Sequence, residues 1–290
     1  MNKYNDLDYI DLHIHTTCSD GTLSPESIVE YAAQRGIKVM SITDHDNVSG
    51  IDIAKSEAEK YNISLIPGIE CTTTFETKEK GRRHILGYNI DYDSNVIKEY
   101  VETCQNDRVN KIKKILSKLK DLDINISFED VKKFSPYGSI GKPHVAQALL
   151  EKGYVNSIKE AFDLYLGKGK PAYASGRKVS AKEVIDVILE AGGIPILAHP
   201  FQMNFMSQEE LFEEIKRLME LGIKGIEVIY PEHSKEQIES LVKFAKDNDL
   251  YVTCGSDFHG ENKINKLGEC ICNKCFVEVN KLKNEGKNFI

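Results

Sequence analysis

No apolar run in the 290-residue sequence approaches the roughly 20 residues that a membrane-spanning helix needs. The opening stretch, Met1-Asn-Lys-Tyr-Asn-Asp-Leu-Asp8, lacks the apolar centre of a secretory signal, so a cytoplasmic protein is expected. A paired-cysteine framework is missing as well. Cysteines stand at 18, 71, 104, 254, 270, 272 and 275, an odd number that is scattered except at the end. Cys270-Ile-Cys272-Asn-Lys-Cys275 has no fourth ligand in zinc-site spacing, which favours reduced thiols over structural zinc. Cys18, Cys71 and Cys254 read as small buried packing residues. Excess positive charge is also absent: 38 Lys and Arg face 45 Asp and Glu, a net charge of −7. That balance argues against a protein that coats long nucleic acid, while leaving room for a local basic pocket.

What is present is enough apolar material, 41%, for the chain to bury its own core. Short β-rich runs at Tyr9–Ile14, Val39–Thr43, Ser64–Ile69, Arg83–Tyr88, Ile194–Ala198, Gly225–Ile229 and Tyr251–Cys254 alternate with amphipathic helical segments. The rhythm predicts an α/β fold with a βα-type parallel sheet or barrel. Helix starts are marked by Ser24 before Pro25, and by the pairs Ser157/Glu160, Ser180/Glu183, Ser207/Glu210 and Ser234/Gln237, which have capping-box spacing. Between 93 and 178 the alternation stops and only helices are predicted, over Ser94–Leu122, Phe128–Phe134, Pro143–Lys152 and Ile158–Leu166. The expected organisation is a barrel built from 1–92 and 179–290, carrying a helical insertion at 93–178 with much of the concentrated positive charge.

Most of the eight histidines fall at or just beyond the C-terminal end of a predicted strand, where functional groups gather in parallel βα folds. In Asp11-Leu-His13-Ile-His15 the period of two turns both imidazoles to one face of a strand. Asp20 follows shortly, His45 comes after the second strand, Glu70 ends the third, and His84 lies in the fourth. His199 ends the fifth, and Asp257 and His259 follow the last. His13, His15, Asp20, His45, Glu70, His84, His199, Asp257 and His259 are too many for one ion and suit two or three divalent ions. Mixed imidazole and carboxylate donors favour Mn, Zn or Fe. A carboxylate such as Glu70 can bridge two ions, and a water held between them becomes hydroxide near neutral pH.

The strings DLHIHTTCSDGTLSPESIVEYA, ITDHDNVSGI, PGIE, ILAHP and GSDFHG resemble the four-motif signature of the PHP (polymerase and histidinol phosphatase) superfamily. RHILGY, SIGKPHVAQALLEKGYV, PAYASG and IEVIYPEHS resemble its stand-alone phosphoesterases, which include 3′,5′-nucleoside bisphosphate phosphatases and 5′-to-3′ exoribonucleases. The resemblance implies a distorted (β/α)7 TIM-like barrel with a helical cap. It also implies a division of ligands: His13, His15, Glu70 and Asp257 at one ion, Glu70, His84 and His199 at a second, and Asp20, His45 and His259 at a third. Asp20 is a carboxylate where some relatives have an imidazole.

The implied activity is hydrolysis, by a metal-bridging hydroxide, of a phosphate monoester or terminal phosphodiester on a small nucleotide or short oligonucleotide. Glu70 and Asp257 are the candidate catalytic carboxylates. Gly141-Lys142-Pro143-His144 opens a helix whose free N–H groups favour anions, which makes Lys142 and His144 candidate phosphate holders, with Arg177 a further one. His233 is expected either to contact substrate and protonate a leaving group or to cap the helix that follows. Asp11, Asp44 and Asp46 read as orienters of ligating imidazoles, with a helix cap as the alternative for Asp46. Rival readings are a histidinol phosphate phosphatase and a non-catalytic metal-binding module, against which the complete ligand set argues.

Overall fold

The computed structural model describes residues 9–75, 83–135, 139–205 and 207–269; Cys270, Cys272 and Cys275 lie outside them. Seven strands form one sheet in sequence order: β1 Tyr9–Ile14, β2 Ile37–Ile42, β3 Ser64–Thr73, β4 Arg83–Tyr88, β5 Ile194–Leu197, β6 Gly225–Ile229 and β7 Tyr251–Cys254. A parallel bridge between Ile14 and Phe258, with the His15 N–H donating to the Phe258 carbonyl at 2.9 Å, ties the outlet of β7 back to β1 and closes the sheet into a barrel.

Uniform parallel pairing does not hold. β4 runs antiparallel to both β3 and β5, and the other neighbours are parallel. The consequence is functional, because the N-terminal end of an antiparallel strand lies on the rim where its parallel neighbours have their C-terminal ends. His84, paired with Thr72, therefore sits at that rim although it is the second residue of its strand. β3 also runs past Ile69 to Thr73, which places Glu70 within the strand.

One apolar cluster draws almost entirely on strand residues, among them Leu12, Val39, Ile66, Leu86, Tyr88, Ile196 and Cys254. Strand alternation puts Ile66 on the face that carries Glu70, and Leu86 and Tyr88 on the face of His84, so this cluster forms the floor under the polar rim. Outside the barrel, α1 (Pro25–Gln34) and α2 (Ile51–Lys60) cover β1 and β2. Helices α7 (Ala181–Glu190), α8 (Gln208–Glu220) and α9 (Lys235–Asp247) cover the far side. Ser24, Ser180, Ser207 and Ser234 each accept a backbone N–H three residues on, which satisfies a donor the helix start would leave bare. The reciprocal half of the box forms at Ser234 with Gln237.

Between β4 and α7 the described residues form helices and no strand: α3 Asn95–Lys120, α4 Phe128–Lys132, α5 Lys142–Glu151 and α6 Ile158–Ala161, the last continuing as a π turn over Phe162–Leu166. Ser157 caps α6, but Glu160 turns to the Asn156 N–H and does not close the box. These helices share a core of their own, built from residues such as Ile115, Leu119, Val131, Leu149 and Leu166. Among the described residues no helix is long and apolar enough to cross a membrane.

Candidate metal centre and its cleft

All nine expected ligands meet at the barrel rim. Their ligating atoms gather in four overlapping groups: His13, His15 and Asp257; His13, Glu70 and His199; His45, Glu70 and His84; and His15, Asp20, His45 and His259. Glu70 stands at the middle. Its Oε1 lies 2.8 Å from His84 Nδ1, 3.1 Å from His199 Nε2 and 3.3 Å from His13 Nε2, while Oε2 lies 2.9 Å from His45 Nδ1 and 3.2 Å from His15 Nε2. On the outer side, Asp20 Oδ1 is 3.1 Å from His259 Nε2. The backbone is bent to reach this arrangement: His199 at φ +25° and Asp257 at φ +52° occupy the left-handed region that most side chains avoid.

The electrostatics follow from burial against charge. Burial would keep a proton on Glu70, but the surrounding His45, His84 and His13 outweigh it and hold the carboxyl well below the usual range. Asp20 and Asp257 are depressed in the same way, against burial, by His259 and by His13 with His15 respectively. In His13, His15, His84 and His259 burial acts to lower the pKa. In His13 the carboxylates of Glu227, Glu70 and Asp257 win and raise it, and in His15 Asp257 and Glu70 lift it to about 9. In His84 and His259 burial wins over the neighbouring carboxylate, pushing each down to about 4.

The donor set fits divalent metal. Asp20 Oδ1, His45 Nδ1, Glu70 Oε2 and His199 Nδ1 are buried without a hydrogen-bond partner. His45 Nδ1 and Glu70 Oε2 stand 2.9 Å apart without forming a hydrogen bond. Buried polar atoms left without a partner are costly, and a cation seated among imidazole and carboxylate donors would satisfy them.

Around the ligands, three of the expected supporting carboxylates behave differently from one another. Asp44 accepts the Thr16 N–H, the Thr16 hydroxyl and the Ser19 hydroxyl, and Ser19 in turn meets His15 Nδ1 at 3.3 Å, so Asp44 reaches an imidazole only through Ser19. Asp11 touches no imidazole ring. It accepts the backbone N–H groups of His13, Ser256 and Gly268 and ties β1 to the loop after β7. Asp46 neither caps a helix nor orients a ring; it accepts from Thr72 N–H, Tyr100 hydroxyl and the Arg108 guanidinium, and so fastens α3 to the rim. The helix after it starts at Ile51, from Gly50.

Above the ligands lies a cleft of about 660 Å³. Asp20, His45 and His84 face it from the barrel, and Arg108, Lys111, Lys142, Lys168, Arg177 and Lys178 face it from the helical insertion. Lys142 donates to the Leu166 carbonyl at 3.3 Å and its ammonium lies over the rings of Tyr173 and Phe162. Arg177 pairs with Glu183. His144 is absent from the cleft lining: it is buried, and its Nδ1 accepts the Gly141 N–H at 3.0 Å, which caps α5. Burial lowers its pKa, in keeping with an accepting nitrogen. His233 is not brought to the cleft either. Its Nδ1 donates to the Val228 carbonyl at 2.9 Å, its ring packs between Phe201 and Tyr230, and the helix cap is Ser234.

Several contributors were not anticipated. Glu227 accepts from His13 Nδ1 at 2.9 Å and from the His199 N–H at 2.8 Å. The Tyr230 hydroxyl donates to Asp257 Oδ2 at 3.0 Å, and Lys263 pairs with the same oxygen. Glu227 had a visible signal, an acid in the middle of the otherwise apolar strand Gly-Ile-Glu-Val-Ile. Arg108 had none, being one cation among many on α3.

Residues 11–253 match the model of the PHP domain. The chain belongs to the PHP family. Within this family it is 34% identical over 250 residues, 86% of this chain and 89% of the relative, to a 5′-3′ exoribonuclease of Haemophilus influenzae. It is 29% identical over 253 residues, 86% and 87% of the two chains, to a 3′,5′-nucleoside bisphosphate phosphatase of Chromobacterium violaceum. Its fold superposes with a TM-score of 0.86, at 30% identity and over 98% of both chains, on a crystal structure from Bifidobacterium adolescentis provisionally described as a metal-dependent phosphoesterase. This PHP chain is a metal-dependent phosphoesterase, a hydrolase of phosphoric ester bonds, built on the barrel that its motifs imply.

Proposed function

We propose that the chain hydrolyses a phosphate monoester or terminal phosphodiester of a nucleotide, a 3′,5′-nucleoside bisphosphate or a short 5′-phosphorylated oligonucleotide. The observation that carries this is the cleft, where Asp20, His45 and His84 of the ligand cluster face Arg108, Lys111, Lys142, Lys168, Arg177 and Lys178. Its volume falls in the range of about 300–1,000 Å³ that small-ligand sites occupy. A substrate with phosphate at the ligands and further negative charge along the facing cations matches both sides at once. The names of the similar chains, an exoribonuclease and a nucleoside bisphosphate phosphatase, support the same substrate class.

In this reading the nine clustered residues hold two or three ions of Mn, Zn or Fe, which when bound supply Lewis acidity and neutralise charge on the phosphoryl oxygens. Glu70 and Asp257 are the proposed catalytic carboxylates, beneath the Asp20, His45 and His84 side chains that face the cleft. Lys142 and Arg177 orient the remainder of the substrate, and His144 serves the cleft by fixing the Gly141 turn at the start of α5. No substrate contact is assigned to His233. A nucleotide substrate, with no disulfide among the described residues, accords with a cytoplasmic enzyme.

The test is metal analysis of the purified protein together with product release from 3′-phosphoadenosine 5′-phosphate, a short 5′-phosphorylated RNA and histidinol phosphate, each with added Mn. Turnover of either nucleotide substrate is the expected result. Turnover of histidinol phosphate alone would overturn the substrate class, and no turnover with any metal would favour the non-catalytic module.

A further inference from the structure

Strand β6 provides none of the nine clustered ligands, yet its central side chain touches two of them. We infer that Glu227 is the positioning residue that sets the tautomer of His13 and the path of the chain at His199, and so couples two of the ligand groups. The inference rests on the ligand roles proposed above. Glu227 is fully buried. Its Oε1 lies 2.9 Å from His13 Nδ1 and its Oε2 accepts the His199 N–H at 2.8 Å, so each oxygen is committed to a different ligand residue.

A carboxylate only accepts, which requires a proton on His13 Nδ1, so in the neutral imidazole that a metal would bind, Nε2, on the side of Glu70 and Asp257, is the lone pair. The second contact acts on the backbone where it is most strained. His199 at φ +25° needs an external restraint, and the Glu227 carboxylate supplies one at its N–H. Gly255 provides independent support. A Cβ there would fall 2.5 Å from Glu227 Oε1 and closer still to His13 Cβ, so this pair is enclosed by a position that admits only glycine.

Glu227→Gln separates positioning from bulk. An amide has one accepting oxygen for two donors. Turned toward His199, it presents its NH2 to His13 Nδ1 and moves the ring proton to Nε2, where the ligand lone pair is required. Turned toward His13, it sets donor against donor at the His199 N–H.

Wild-type and Glu227→Gln proteins are stripped with chelator and titrated with zinc against a competing chelator, and the ring nitrogen shifts of the zinc-loaded, 15N-histidine-labelled proteins are recorded. Expected are a proton on His13 Nδ1 in the wild type, and in the variant a loss of about 10- to 100-fold in zinc affinity with altered His13 and His199 shifts. Wild-type affinity and shifts in the variant would overturn the role of Glu227 alone. A zinc-loaded wild type without a proton on His13 Nδ1 would overturn it even if the variant does not fold. A wild type that binds no metal would overturn the ligand reading beneath it.

Discussion

Replacing Glu70 with Gln removes one charge and one accepting oxygen from the centre of five imidazoles at 2.8 to 3.3 Å, while conserving volume. The barrel floor is made of other residues, so the variant is expected to fold. Unit charges about 4 Å apart at an effective permittivity near 20 interact by about 4 kcal/mol. Through its two oxygens Glu70 enters two ligand groups, so at least one such interaction is lost. A deficit of about 4 kcal/mol in the transition state corresponds to roughly a thousandfold loss of turnover. The assay is product release at saturating substrate and saturating Mn, with metal content and circular dichroism measured on the same sample. A folded, metal-replete Glu70→Gln protein with near wild-type turnover would refute the bridging role.

Other outcomes follow from the same geometry. In chelator-treated protein, His15 at about 9 contributes stability that is complete below its ordinary value near 6.5 and lost as pH rises through 9, whereas His84 and His259 at about 4 lose stability as pH falls from 6.5 toward 4. Urea midpoints across pH 4–9 are therefore expected to peak near 6.5, and a flat profile would contradict the assignments. Metal affinity is expected to rise with pH up to about 9, because a cation must displace the His15 proton, and competition titrations at several pH values read this directly. Asp46→Ala leaves Arg108 without its partner at the joint between α3 and the rim, and should lower unfolding free energy by about 3 kcal/mol in urea titrations. Gly255→Ala forces the His13–Glu227 pair apart, with about 1–3 kcal/mol lost from overpacking and weaker metal binding in competition titrations.

Local chemistry was readable along the chain because it acts over a few residues. Strand segments show as short β-branched runs, and Ser24, Ser180, Ser207 and Ser234 mark helix starts by satisfying bare N–H groups a turn away. His13 and His15 share a face through the pleat alone, and the nine donors that the fold gathers were legible because imidazoles and carboxylates recur at strand ends. Tertiary structure decided what depends on a neighbour. The direction of β4 is set by its pairing with β3 and β5, and that reversal is what carries His84 to the common rim. Asp11, Asp44 and Asp46 look alike in sequence, but one holds backbone, one works through Ser19 and one holds α3, according to what the folded chain brings within reach. The same holds for His144, which caps its own helix, and for Glu227, whose two oxygens meet residues that only barrel closure brings together. Donor identity is written in the residue; its partner is written in the fold.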